Sequence, residues 1–271
     1  MTPGTGKGPQ RVVSADGTPI AVWQSGTGRP LLLIHGAAAD HSRWAPVLPA
    51  FEERFTVLAI DRRGRGASGD ADVYALEREY EDVAAVIDWA GEPVDVIGHS
   101  YGGMCALEAA SLTGGIRRLV LYEPPMGFLE TPPHVVARLE ELLGEGRTDE
   151  LLGLFMQEVA GLTPDQVELL RSLPAWKARL AASSTIPREE RASREYVFDP
   201  SRFRGLRVPT LFLQGGDSPE PFAVAGDAVA AALPDCTVVV MPGQRHAAMD
   251  TGTEVFVSEV LRFLEAGQPG R

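Results

Sequence analysis

The stretch Val94-Asp95-Val96-Ile97-Gly98-His99-Ser100-Tyr101-Gly102-Gly103 constrains this 271-residue chain more than any other. A short β-branched run leads into G-x-S-x-G, and Met104-Cys105-Ala106-Leu107-Glu108-Ala109-Ala110, a strong helix former, follows. A strand that turns directly into a helix around a serine forces that serine into strained backbone, with its Oγ exposed above the sheet. The flanking glycines remove Cβ atoms that would collide in so tight a turn. The helix start aims free N–H groups and a positive dipole end at whatever lies over the serine. A nucleophile beside half of an oxyanion hole is therefore expected at Ser100.

The rest of the chain supplies the sheet. Arg11-Val12-Val13 and Ile20 to Gln24 flank Asp16-Gly17, a hairpin signal. Leu31 to Ile34 is a continuous apolar run, Phe55 to Ile60 is the next strand, and such runs suit strands covered on both faces. Further strands are expected at Arg118–Tyr122, Thr210–Gln214 and Thr237–Met241, and the last helix at about Glu254–Leu264. Tyr74 to Ala90 has helical spacing, with Tyr80, Val83, Ala84, Ile87 and Trp89 facing inward. Strands alternating with helices predict an α/β, doubly wound, mostly parallel sheet. In such sheets ligands bind at the carboxyl ends of the strands. His35, Ser100, Glu123, Asp217 and His246 each follow a predicted strand, so one edge should collect them.

Residues 131–203 break the alternation and read as helices only. Such an insertion is expected to form a cap over the active edge of a core made of 10–130 and 204–266, after a flexible lead-in at 1–9. Net charge is -12, which disfavours nucleic acid and anionic membrane surfaces. Of the two cysteines, Cys105 and Cys236, neither belongs to a disulfide or metal-ligand pattern, and both are expected to be small, buried and unreactive. Without an apolar signal core or membrane-length run, a cytoplasmic protein is expected. No cofactor or metal is expected. The expected partner is a small-molecule substrate, with homodimerisation left open.

Leu31-Leu32-Leu33-Ile34-His35-Gly36, Asp61-Arg62-Arg63-Gly64-Arg65-Gly66-Ala67-Ser68-Gly69, the serine turn and Gly243-Gln244-Arg245-His246 together resemble the α/β-hydrolase superfamily. Order and spacing match from about Val12 to Leu264. The resemblance is specific for the fold and says little about substrate. It implies His246 as the base, in the loop after the last strand, and Tyr101 and Ala37 amides as the oxyanion hole. It also implies that the Asp61–Gly66 loop is structural, with Asp61 pairing with the arginines, rather than a phosphate loop.

The carboxylate that must orient His246 is less plain. The commonest family pattern is G-x-x-D-P, whereas this chain reads Gly215-Gly216-Asp217-Ser218-Pro219, with serine at the aligned position. A branch that includes several haloalkane dehalogenases and macrolide lactonases carries its acid after the preceding strand. Glu123 matches that place, before Pro124-Pro125. Glu123 is favoured and Asp217 is the alternative. His35 and His99 are expected to hydrogen-bond backbone, and His41 and His134 to sit at a rim or in solvent. Trp44, Tyr101, Met104, Met126, Phe128, Phe155, Met156 and Trp176 are candidates for an apolar pocket under the cap. The small run Ala37-Ala38-Ala39 carries no cationic clamp, which suits a neutral ester.

The resulting expectation is a serine hydrolase of a small, largely apolar ester or lactone. Haloperoxidase-like chemistry without a cofactor and C–C bond hydrolysis are alternatives with the same three side chains. A non-catalytic ligand receptor is an alternative of another class.

Overall fold

The computed structural model describes residues 8–173 and 175–266. Residues 1–7 of the expected lead-in lie outside that range. Eight strands form one sheet: β1 (Gln10–Val13), β2 (Pro19–Gly26), β3 (Arg29–Ile34), β4 (Phe55–Asp61), β5 (Val94–His99), β6 (Ile116–Tyr122), β7 (Thr210–Gly215) and β8 (Cys236–Met241). Their spatial order is β1-β2-β4-β3-β5-β6-β7-β8. β1 pairs antiparallel with β2, and β2 antiparallel with β4; every other pairing is parallel.

The continuous apolar runs have their reason in two covered faces. Leu32 and Ile34 of β3 enter one core, and Leu31 and Leu33 the other, as the two-residue period of a strand demands. The first face is covered by α2 (Leu76–Trp89) and α3 (Tyr101–Ala109), and by Ala225 and Val229 of α9 (Glu220–Ala232). The second is covered by Phe51 of α1 (Leu48–Glu52) and Phe256, Val260 and Leu264 of α11 (Thr253–Glu265), with α10 (Ala248–Thr251) between. Trp89 is 40% exposed, against expectation. It lies nine positions after Tyr80, about half a turn round from the buried stripe at 3.6 residues per turn. Cys105 is buried and Cys236 half-buried.

Between β6 and β7 run α4 (Pro133–Gly144), α5 (Thr148–Glu158), α6 (Pro164–Arg171), α7 (Ala175–Ala181) and α8 (Ile186–Glu195). They hold a separate apolar cluster that includes Leu139, Leu151, Phe155, Trp176 and Ile186, and it closes onto Ala38 of the core. Charged contacts tie this layer down. Arg62 lies between Glu79 at 2.7 Å and Glu189 of α8 at 3.2 Å, and Arg65 also pairs with Glu189. Arg188 meets Asp70 at 2.8 Å. Arg63 binds Asp82 and Asp16 at 2.7 and 3.0 Å, so the loop is an ion-paired structural element. Asp61 itself does not pair with the arginines. It accepts from His41, the Trp23 indole and the Ala67 amide, and that set holds its carboxyl well below the usual range. Among the described residues, no helix is long and apolar enough to cross a membrane.

Candidate active site

Ser100 stands between β5 and α3, as the N-cap of α3, with φ 55° and ψ −127°, a left-handed backbone that favours glycine. Its surroundings leave no alternative. A Cβ on Gly102 would stand 2.4 Å from the His35 and Ile34 carbonyl oxygens, and one on Gly98 2.6 Å from Gly102 O. A Cβ on Gly36 would stand 2.9 Å from the Ser100 Cβ, so the loop after β3 lies against the serine. The Ser100 amide donates to Tyr122 O at 2.9 Å, which continues the β5–β6 ladder into the turn.

Glu123 follows β6 at φ 45° and is fully buried. Its two oxygens have separate donors. Oε1 accepts the Gly215 amide at 2.7 Å, and Oε2 accepts His246 Nδ1–H at 2.7 Å. A buried carboxylate is costly unless paired and hydrogen-bonded, and here it is both. Asp217 is exposed at the surface and Glu123, not Asp217, meets the imidazole. Ser218, at the position of the commoner acid, has a buried hydroxyl without a partner.

The His246 loop is strapped on several sides. His99 Nε2–H donates to His246 O at 2.9 Å. Burial, helped by the charges of His246 and Arg43, holds the His99 pKa well below its usual value, so it is a neutral donor there. The Tyr122 hydroxyl donates to Arg245 O and accepts the Ala248 amide at 2.9 Å. Phe222 of α9 stacks on the His246 ring at 4.7 Å between centroids. Of these supports, the backbone bond of His99 was expected, and Tyr122 was visible only as the neighbour of Glu123. Nothing in the sequence marked Phe222.

A model of the alpha/beta hydrolase family matches residues 31–259. The chain belongs to that family. It is similar to an alpha/beta hydrolase from Sphaerobacter thermophilus, with 36% identity and a TM-score of 0.80 over 92% of this chain and 100% of that one. The esterase RhEst1 from Rhodococcus sp. is 25% identical with a TM-score of 0.76, over 96% and 99%. Among curated proteins, 2-(acetamidomethylene)succinate hydrolase of Mesorhizobium japonicum is 24% identical over 91% of this chain and 92% of its own length.

In this alpha/beta hydrolase, the amides named for the oxyanion hole belong to two segments next to Ser100. Tyr101 is the first residue of α3, where an amide has no intrahelical acceptor, and Ala37 follows Gly36 in the loop packed on the serine. The Tyr101 side chain is spent elsewhere. It is buried under the Arg62 guanidinium, 4.4 Å from the ring centre, with its hydroxyl 2.6 Å from that of Tyr74.

Most pocket candidates pack away instead. Trp44 is buried in the second core with Val47 and Phe51, and Met104 and Met126 in the first. Phe128 is 36% exposed, against Phe198. These side chains are large enough to fill a core, and the strand faces take them first. Phe155, Met156 and Trp176 remain in the helical layer around Ala38, the Trp176 indole N–H bonded to Asp149 at 2.7 Å. His35 accepts the Arg62 amide through Nε2 at 3.2 Å, and His134 is exposed. His41 is half-buried, and it stacks on Trp23 at 4.1 Å and holds Asp61. Asp40, His41 and Asp61 come close enough to suggest a metal, but their oxygens already accept Ser42, His41, Trp23 and Ala67. That donor set is structural. A groove of about 970 Å³ between the residues before α2 and α8 contains none of the candidate catalytic residues.

Proposed function

We propose that this hydrolase cleaves carboxylic esters or lactones of modest size through an acyl-enzyme on Ser100. The observation that carries the reading is the His246 Nδ1–Glu123 bond at the same sheet edge as a serine in left-handed backbone. Ser100 attacks the carbonyl while His246 Nε2 takes its proton. Glu123 fixes the tautomer in which Nε2 is free to accept, and stabilises the imidazolium that forms. Tyr101 and Ala37 amides receive the oxyanion; one such donor is worth about 10²–10³ in rate. His246 then protonates the leaving oxygen, and water frees the acid by the same route. Phe155 and Ala38 share an apolar cluster between the helical layer and the core, which supports an apolar substrate group at that place. The likeness to RhEst1, an esterase, supports ester over amide substrates.

Treatment with a p-nitrophenyl phosphonate tests this. One adduct per chain, on Ser100, is expected, with parallel loss of ester hydrolysis and an initial burst of p-nitrophenol from activated esters. Undiminished turnover after stoichiometric labelling, or an active Ser100→Ala protein, would refute it.

A further inference from the structure

Among the described residues, deeply placed arginines come with acids. Arg62 has Glu79 and Glu189, Arg63 has Asp82 and Asp16, and Arg43 has Asp250. Arg179, on α7, breaks the pattern. It sits deep between the helical layer and the core, yet its side chain stays partly accessible, as expected of a cleft wall. No described carboxylate lies within ion-pair distance of it. Burial and the nearby Arg43 charge pull its pKa down to about 10. Asp250 is close enough to be felt, but both its oxygens are committed to Arg43, at 2.9 and 2.8 Å. The one bond Arg179 makes runs from Nη1 to Ala38 O at 3.5 Å, the long limit for a hydrogen bond. That uses one of five guanidinium donors.

Its position gives this unpaired cation a use. Ala38 follows Ala37, whose amide is proposed to hold the oxyanion. The Arg179 charge also reaches His99, the residue before Ser100, and helps to keep it neutral. A half-buried guanidinium beside Ala38 that lacks an acid partner, in a protein of net charge -12, is incompletely satisfied until an anion completes it. Simple attachment of α7 to the core would be served by any neutral donor.

We infer that Arg179 is a specificity-determining residue that binds a carboxylate on the substrate, so that the preferred esters or lactones carry a free carboxylate near the scissile carbonyl. This rests on the proposed Ser100 chemistry and amends the sequence-based expectation of a site without a cationic clamp: the cation arrives from the helical layer, 141 residues away from Ala38. The fork of a guanidinium suits a carboxylate better than an ammonium would.

The test compares anionic with uncharged esters. p-Nitrophenyl hydrogen glutarate and 4-acetoxybenzoate place the carboxylate on the acyl and leaving sides; p-nitrophenyl valerate and phenyl acetate are their neutral counterparts. The wild type should favour at least one anionic ester in kcat/KM. Arg179→Gln should lower that anionic-to-neutral ratio by about ten- to a hundredfold, mainly through KM, with Arg179→Lys intermediate. A ratio that Arg179→Gln leaves within about twofold of wild type overturns the inference. Calorimetric binding of monomethyl glutarate to the Ser100→Ala protein, with and without Arg179→Gln, separates the two readings. Binding that depends on Arg179 in a protein whose wild type has no esterase activity sinks only the Ser100 chemistry. Ester turnover indifferent to Arg179 sinks only this inference, and absence of both turnover in the wild type and binding in the Ser100→Ala protein that keeps Arg179 overturns both.

Discussion

Replacing Glu123 by glutamine isolates one proton. The side chain keeps its length, and Oε1 can still accept the Gly215 amide at the native 2.7 Å. The amide nitrogen then faces His246 Nδ1, now a donor where an acceptor stood. The imidazole answers by carrying its proton on Nε2, the tautomer that cannot take a proton from Ser100. The opposite amide orientation restores an acceptor to His246 but points two donors at each other across Gly215 N, in a fully buried place, at a cost of about 1–3 kcal/mol. Either way transition-state stabilisation falls. A drop in kcat of about 10³–10⁴ is expected, as for loss of the carboxylate in other serine triads, equivalent to about 4–5.5 kcal/mol. Asp217→Asn changes an exposed side chain that touches no candidate catalytic group, and should stay within about twofold of wild type. Steady-state hydrolysis of p-nitrophenyl valerate, with circular dichroism to check folding, measures both. A folded Glu123→Gln protein within tenfold of wild type, or a larger loss from Asp217→Asn, would refute the assignment of the acid.

Two further outcomes concern stability. Ser100 at φ 55°, ψ −127° stores about 1–3 kcal/mol of backbone strain, so Ser100→Gly should abolish hydrolysis while raising the thermal midpoint, and a lowered midpoint would show the turn to be unstrained. Glu190 is buried against Thr131, and burial pushes its carboxyl up to about 7. Its folded pKa lies above its unfolded one, so the stability it contributes is complete below about pH 4.5 and is lost as pH rises towards 7. Glu190→Gln should therefore leave the thermal midpoint nearly unchanged at pH 4.5 and raise it by several degrees at pH 8; a gain that shrinks with rising pH would contradict the burial argument.

What could be read from the residues, and what could not, divides along the range of the interactions. The sheet was legible because Leu31–Ile34 is apolar at every position and Phe55–Ile60 and Val94–Ile97 are interrupted only by Thr56 and Asp95, a pattern that suits strands covered on two faces. The turn at Ser100 was legible because glycines are needed at 98 and 102, where an added Cβ would stand 2.4–2.6 Å from neighbouring backbone oxygens. The carboxylate partner of His246 was readable only as a choice. Glu123 and Asp217 both follow strands, and what separates them is the Gly215 amide and the imidazole closing on one carboxylate from two other loops. The pocket was the least legible part. An aromatic such as Trp44 serves a core or a cavity equally well by composition, and only the strand face opposite it decides. Arg179 lay beyond sequence reasoning for the same reason: in a helix with Lys177 beside it, nothing local distinguishes a solvated arginine from one folded over the serine edge. Its meaning comes from what the neighbours already hold. Asp250 is taken by Arg43, Glu189 by Arg62 and Arg65, and the cation left over among the described deep arginines faces the place where an ester would lie.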